Sequence, residues 1–367
     1  NRAKDNPDKN KELLLALYWN LGNSLNAPYN YQYRKALENL NNAAEFLPSS
    51  IIDLEDEAGL MTTLGWVCYY AGEYGEAKSR FTNAISKWSL ITDDLVRNNG
   101  LSSSYRGMGA TYQRLMQFSD AEMAFKQTIE YAIAVNNTKY GEPLQMIWAE
   151  FRIGAFYKFL GNLLEGDKHL EEADTLWNKY TKHGKETDHG LDAIRTMILN
   201  NRADLLIRRG TKLNQAEKYL NESMVIGEKI GDKRTQAYNM WFLSILRLDR
   251  GKWDKALQLL DKAITFFREM TLPRYEFNIL LTRARVYCAL KAPTSALHLI
   301  DSIPVNEIED TSVQIVAQVT RAFVYGQNKK YDDARKLFDE NIPLLQDMKY
   351  EQARARLDYA HMLLSLR

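Results

Sequence analysis

A small residue returns along this 367-residue chain at a spacing that stacked helical hairpins explain. Ala36, Ala77, Ala121, Gly166, Ala216, Ala256, Ala296 and Ala334 each stand four positions before a large apolar side chain: Leu40, Phe81, Phe125, Leu170, Leu220, Leu260, Ile300 and Phe338. Three positions further on a small residue comes back as Ala43, Ala84, Thr128, Ala173, Ser223 and Ala263, while Ile303 and Asn341 depart from the rule. A second ladder runs 12 to 14 residues upstream of the first: Gly22, Gly65, Gly109, Gly154, Ala203, Ser244, Ala284 and Ala322. A small residue on one helix lets an antiparallel partner approach, and the large residue one turn on fills the adjacent groove. Each unit is an αα-hairpin that cannot bury its apolar face alone, so neighbours must stack.

The rest of the chain agrees with helix after helix. Apolar residues recur at three- and four-residue spacing, and no sustained alternating run appears. Ala71-Gly72-Glu73-Tyr74, Leu160-Gly161-Asn162-Leu163 and Arg250-Gly251-Lys252-Trp253 put glycine at a helix C-terminus just before the next helix. The remaining turns use Met116-Gln117-Phe118, Lys291-Ala292-Pro293 and Lys329-Lys330-Tyr331. The steps of the first ladder are 41, 44, 45, 50, 40, 40 and 38 residues. The longest contains the polar stretch from Thr181 to Gly190, which reads as a surface loop. The expected organisation is a linker over 1–10, repeats over 11–348 and a capping helix over 349–367, polar on one side.

Composition excludes several classes. With 45% hydrophobic residues the chain is globular, and a net charge of +1 gives no general attraction for nucleic acid or acidic membranes. No apolar run reaches the ~18–20 residues that span a bilayer. Cys68 and Cys288 read as helix-borne thiols of a reducing, cytoplasmic compartment, with no zinc-type spacing. The chain begins at Asn1 without a methionine, which points to a domain of a longer parent protein.

Leu64-Gly65, Gly72, Tyr74, Ala77, Phe81 and Ala84 together resemble a tetratricopeptide unit, and Tyr105, Met108-Gly109, Tyr112, Phe118, Ala121 and Phe125 resemble a second. The resemblance runs from about residue 11 to 366 and implies an all-α, right-handed superhelical solenoid of about eight repeats. The long period is similar to that of kinesin light chains and of the sensor region of the maltose-regulon activator, one of the signal-transduction ATPases with numerous domains. In those relatives an asparagine on the first helix grips peptide backbone. Asn20 and Asn201 match that slot, whereas the equivalent positions hold Thr63, Gly107, Arg152, Phe242, Thr282 and Thr320.

Helical phase then nominates a groove wall: Trp19, Asn20, Asn23, Thr62, Trp66, Tyr70, Arg106, Arg114, Phe151, Phe159, Asn201, Arg208, Trp241 and Arg285. Aromatics mixed with arginine are the composition of interaction hot spots, although a tryptophan at helical spacing is more often core than site. His169, His183 and His189 lack the convergent spacing of metal ligands, so no metal or cofactor is expected. The basic run Arg195, Arg202, Arg208, Arg209 and Lys212 reads as a solvated face, not a nucleic-acid site. No phosphate-binding loop, nucleophile elbow or metalloprotease motif is present, so no catalytic residue is assigned. The expected function is binding a protein, a peptide or a small effector as the sensor or scaffold of a larger signalling protein. The alternative is a regulatory module that docks on a separate effector enzyme such as a protease.

Overall fold

The computed structural model describes residues 16–17, 20, 32–45, 53–138, 143–182, 189–270, 273–308 and 310–366. Among the described residues there are sixteen α-helices and no strand. Contacts divide the chain into two compact units, Asn1–Ile153 and Gly154–Arg367, and the boundary falls inside one helix. The first unit holds α1 (Tyr33–Glu45), α2 (Leu54–Ala71), α3 (Tyr74–Trp88), α4 (Asp94–Arg114), α5 (Phe118–Asn136) and the start of α6 (Leu144–Leu160). The second holds the rest of α6, then α7 (Leu163–Thr181), α8 (His189–Arg209), α9 (Leu213–Lys229), α10 (Lys233–Asp249), α11 (Trp253–Glu269) and α12 (Pro273–Ala289). It ends with α13 (Pro293–Asp301), α14 (Thr311–Gln327), α15 (Tyr331–Asn341) and α16 (Lys349–Leu364). Even-numbered helices from α2 to α14 are the first helices of their repeats and odd-numbered ones the second. Of the expected polar loop, Thr181 closes α7 and His189 opens α8, while residues 183–188 lie outside the described residues.

The two ladders pack on each other. A Cβ added to Gly65 would stand 2.7 Å from the Phe81 ring, one on Gly109 2.8 Å from Phe125, and one on Gly154 2.9 Å from Leu170. These are closer than any real methyl contact, so the glycines set the spacing between the two helices of a repeat. Ala36, Leu40, Ala77, Phe81, Ala216, Leu220, Ala256, Leu260, Ala296, Ile300, Ala334 and Phe338 are fully buried. Both departures from the third rung sit where a second helix stops early. The helix α13 ends at Asp301, and Ile303, Val305 and Ile308 of the following segment fill the core in its place. The helix α15 ends at Asn341, whose side chain caps backward onto the Leu337 carbonyl at 2.8 Å.

First and second helices begin differently for a physical reason. The first helices α2, α4, α10 and α14 are capped by the carboxylates of Asp53, Asp93, Asp232 and Asp310; α2, α4 and α14 follow longer connections, whereas α10 follows a tight turn in which Gly231 is left-handed and Asp232 N bonds to Gly227 O. The second helices start inside a tight turn, where the same six-to-one backbone bond recurs: Glu73 N to Cys68 O, Gln117 N to Tyr112 O, Asn162 N to Tyr157 O, Lys252 N to Arg247 O, Ala292 N to Tyr287 O and Lys330 N to Tyr325 O. That turn needs one left-handed residue. Gly72, Gly161 and Gly251 supply it in three turns, and Met116, Lys291 and Lys329 adopt it at φ 58°, 57° and 61° in the others. Within each unit first helices also touch one another, α2 with α4, α8 with α10, α10 with α12 and α12 with α14. They therefore form the crowded wall of the stack, which is where a groove is lined.

Candidate functional site

The first unit gathers arginines and tryptophans from three successive first helices. Trp66 and Tyr70 lie one turn apart on α2, Arg106 on α4, and Trp148, Phe151 and Arg152 on α6. The Arg106 guanidinium lies 4.6 Å from the Trp148 ring centre and 5.5 Å from that of Trp66. The Arg152 guanidinium lies 5.4 Å from Trp66, 5.4 Å from Phe151 and 6.0 Å from Trp148. Tyr70 stacks on Trp66 at 6.0 Å and on Tyr33 of α1 at 5.1 Å, extending the aromatic surface along the wall. Cation–π contacts of this kind contribute about 0.5–2 kcal/mol each, more as water is excluded.

Electrostatics sets this cluster apart. Among the described residues Arg106 donates only to Ser103 Oγ at 3.3 Å, and its Nε and Nη1 are buried without a hydrogen-bond partner. The Nε of Arg152 is buried in the same condition. No carboxylate among the described residues pairs with either side chain. Burial, and then the charge of Arg152, push the Arg106 guanidinium down to about 9.

The sequence nominated Trp66, Tyr70, Arg106 and Phe151, and the structure brings these four together, with Phe151 buried at 3% exposure. It missed Trp148 and Arg152. The signal for Arg152 was present, because it fills the slot that the resemblance gives to asparagine. Gly107, in the same slot one repeat earlier, has its backbone against Phe81 and leaves no room for a side chain. Thr62 belongs to the packing between helices. It accepts from Trp88 Nε1 at 2.9 Å and shares a hydrogen bond with Ser104 at 2.9 Å. Arg114 donates to the Tyr69 hydroxyl at 3.2 Å. Asn20 is exposed on a helical residue, and Trp19 and Asn23 lie outside the described residues.

In the second unit the nominated side chains have partners within the protein. Asn201 donates to the Met197 carbonyl of its own helix at 2.9 Å. Trp241 stacks on Phe242 at 5.2 Å and donates to Thr282 Oγ1 at 2.9 Å, tying the sixth repeat to the seventh. Phe159 is half-buried. Arg208 donates to Asp204 at 3.0 Å and to Glu351 at 3.0 Å, and lies 4.6 Å over the Tyr350 ring. Arg285 donates to Asp358 at 2.7 Å and lies 4.5 Å over Phe323. Burial would raise the Asp204 carboxyl, but Arg208 and Lys158 outweigh it and hold it below the usual range.

Glu351, Tyr350 and Asp358 all come from α16, so the chain's own last helix lies against the first-helix wall of this unit. The contact is close: a Cβ on Gly161, at φ 81°, would stand 2.6 Å from the Tyr350 amide nitrogen. The sequence reads this helix as polar on one side, as a capping helix should be. The structure buries Ala355 and Met362, half-buries Glu351 and Asp358, and leaves Arg354 and Arg356 exposed together with Leu357 at 56% and Leu364 at 60%. Ion pairs to Arg208 and Arg285, and Met362 seated on Gly326, decide the orientation. The basic run is likewise answered by carboxylates. Arg195 and Arg202 share Asp174, Arg195 also meets Glu222, and Arg209 meets Asp167. Cys68 and Cys288 are free thiols that burial pushes up to about 12 and about 11.

Helical hairpins repeated with this ladder, this turn and these first-helix contacts define a tetratricopeptide-like repeat protein. No family model matches the chain, and no curated protein does. Solved structures do. The fold is similar to that of a Rap protein complexed with competence and sporulation factor, with a TM-score of 0.63 and 12% identity over 96% of each chain. It is similar to the apo form of the quorum sensor NprR from B. thuringiensis, with a TM-score of 0.61 and 12% identity over 93% of this chain and 89% of that one. Aspartyl phosphate phosphatase F from Bacillus subtilis gives a TM-score of 0.60 and 14% identity over 82% of this chain and 74% of that one. Among the described residues no helix is long and apolar enough to cross a membrane.

Proposed function

We propose that this chain is a peptide-binding regulatory repeat domain of a cytoplasmic signalling protein, holding a polypeptide against the first-helix wall of its first unit. The observation that carries the reading is the cluster of Trp66, Trp148, Arg106 and Arg152. It offers broad aromatic faces together with buried guanidinium nitrogens that have no hydrogen-bond partner among the described residues. Half-buried aromatics and arginines are the side chains that dominate binding energies at interfaces. The second unit argues by contrast, because there Arg208 and Arg285 are already paired with α16. The fold agrees with this reading, since two of the similar structures are by name a Rap protein with competence and sporulation factor and a quorum sensor. The role is binding, with no catalytic residue assigned.

Selection of a random peptide library on the purified chain tests the reading. Enriched peptides should slow amide exchange in α2, α4 and the part of α6 up to Ile153. A folded chain that enriches no peptide, or whose peptides protect only the second unit, would overturn it.

A further inference from the structure

We propose that Arg106 and Arg152, set against Trp66 and Trp148, form a carboxylate-binding subsite for the bound peptide. The proposal rests on the peptide reading above and names the chemistry of its anchor. Both guanidiniums lie against the Trp66 ring, at 5.5 and 5.4 Å, so two like charges share one aromatic surface. Several other first-helix arginines are neutralised within the fold: Arg195 and Arg202 by Asp174, Arg208 by Asp204 and Glu351, Arg247 by Glu217, and Arg285 by Asp358. Among the described residues the Arg106–Arg152 pair has no such partner, and three of its nitrogens are buried without a hydrogen bond.

A neutral ligand would leave this repulsion in place. A carboxylate relieves it, because its two oxygens accept from both guanidiniums while its flat outline fits beside aromatic faces. Partial burial favours a monoanion over a phosphate dianion, whose desolvation is costlier. The lowered affinity of Arg106 for its proton agrees, since an uncompensated charge is being held in a poorly hydrated place. The wall itself is fixed by close helix packing. Gly107 lets α4 close on Phe81, which sets Arg106 opposite Trp66.

Sodium acetate is the direct probe, read by NMR on the arginine Nε–H signals at constant ionic strength. Signals missing from Arg106→Lys and Arg152→Lys identify the two residues. Saturable shifts of both with acetate, and not with chloride, are expected. Arg152→Gln should weaken acetate by about tenfold or more, a loss of the size of one charged hydrogen bond, while Arg208→Gln leaves it unchanged. Two blocked peptides then separate the sources: one with an internal glutamate and an amidated end, the other with glutamine and a free C-terminal carboxylate. Competition with acetate by either upholds the subsite and says which carboxylate it takes. Shifts that never saturate, that chloride reproduces, or that inorganic phosphate produces at tenfold lower concentration overturn it. Because acetate is read on the wild-type chain, the test survives a variant that fails to fold. Peptides enriched by selection that bind Arg152→Gln as well as wild type would sink the subsite and leave peptide binding standing. Saturable acetate binding with no peptide enriched would do the reverse.

Discussion

Replacing Gly107 by alanine would drive a methyl group into the middle of the first unit. The new Cβ would stand 2.1 Å from Phe81 Cζ and 2.3 Å from Cε1. Ordinary carbon contacts lie at about 3.5–4.0 Å, so the ring would have to retreat by more than an ångström. It has little room to move, because the ring also lies against Gly65, where an added Cβ would be 2.7 Å away. Phe81 is also fully buried. Overpacking of this kind costs roughly 1–3 kcal/mol, and a pinned ring belongs at the upper end. Alanine regains up to about 1 kcal/mol of helix propensity over glycine. The net expectation is a loss of about 1–2 kcal/mol, seen as a lower urea midpoint by circular dichroism. Phe81→Leu shrinks the obstacle, so in that background Gly107→Ala should cost little or nothing. The coupling energy of the cycle should exceed about 1 kcal/mol. A Gly107→Ala chain as stable as wild type, or two effects that simply add, would refute the pinned-ring argument.

Four further outcomes follow from the same coordinates. Trp241→Ala removes the stack on Phe242 and the bond to Thr282, and should cost about 2–3 kcal/mol in thermal melts while leaving selected peptides bound to the first unit. Lys329→Gly relieves a left-handed lysine at φ 61° and should raise the urea midpoint by the equivalent of about 0.5–1 kcal/mol. Asp358→Asn leaves Arg285 half-buried beside a neutral group and should free α16 to limited proteolysis, with cleavage after Arg356 the expected product. Arg106 gives the pH dependence, with Arg152 and Tyr70 as the charged and titratable groups acting on it. Burial and then Arg152 lower it from the ordinary guanidinium range to about 9, so between the two the unfolded chain keeps a proton the native chain has released. Native stability therefore gains as pH rises through about 9, whereas acetate affinity falls over the same range as Arg106 loses its charge. Acetate titrations below and above that value check the sign, and an affinity that stays constant would contradict it.

The fold was legible because its determinants are local and repeated. A small residue and a large one four positions apart describe the surface of a single helix, and each copy restates the same contact with the next helix. Phe81 against Gly65 and Phe125 against Gly109 could thus be paired from spacing alone. The turns were legible even without glycine, because the register of the flanking helices forces Met116, Lys291 and Lys329 into the left-handed position that Gly72 takes elsewhere. Half of the site was legible too, since helical phase puts Trp66, Tyr70 and Arg106 on the wall.

What the sequence alone could not decide was which charges find partners. Arg106, Arg208 and Arg285 look alike as sequence, each an arginine in the phase of a first helix. Glu351 and Asp358 reach Arg208 and Arg285 across 143 and 73 residues, whereas among the described residues no carboxylate reaches Arg106 or Arg152. The same applies to α16, where Glu351 and Asp358 turn toward the protein beside the buried Ala355 and Met362, while Leu357 and Leu364 share the exposed side with Arg354 and Arg356. Packing of neighbouring helices depends on residues a turn apart. Pairing of distant charges depends on the rotation accumulated over several repeats, and only the folded chain carries that sum.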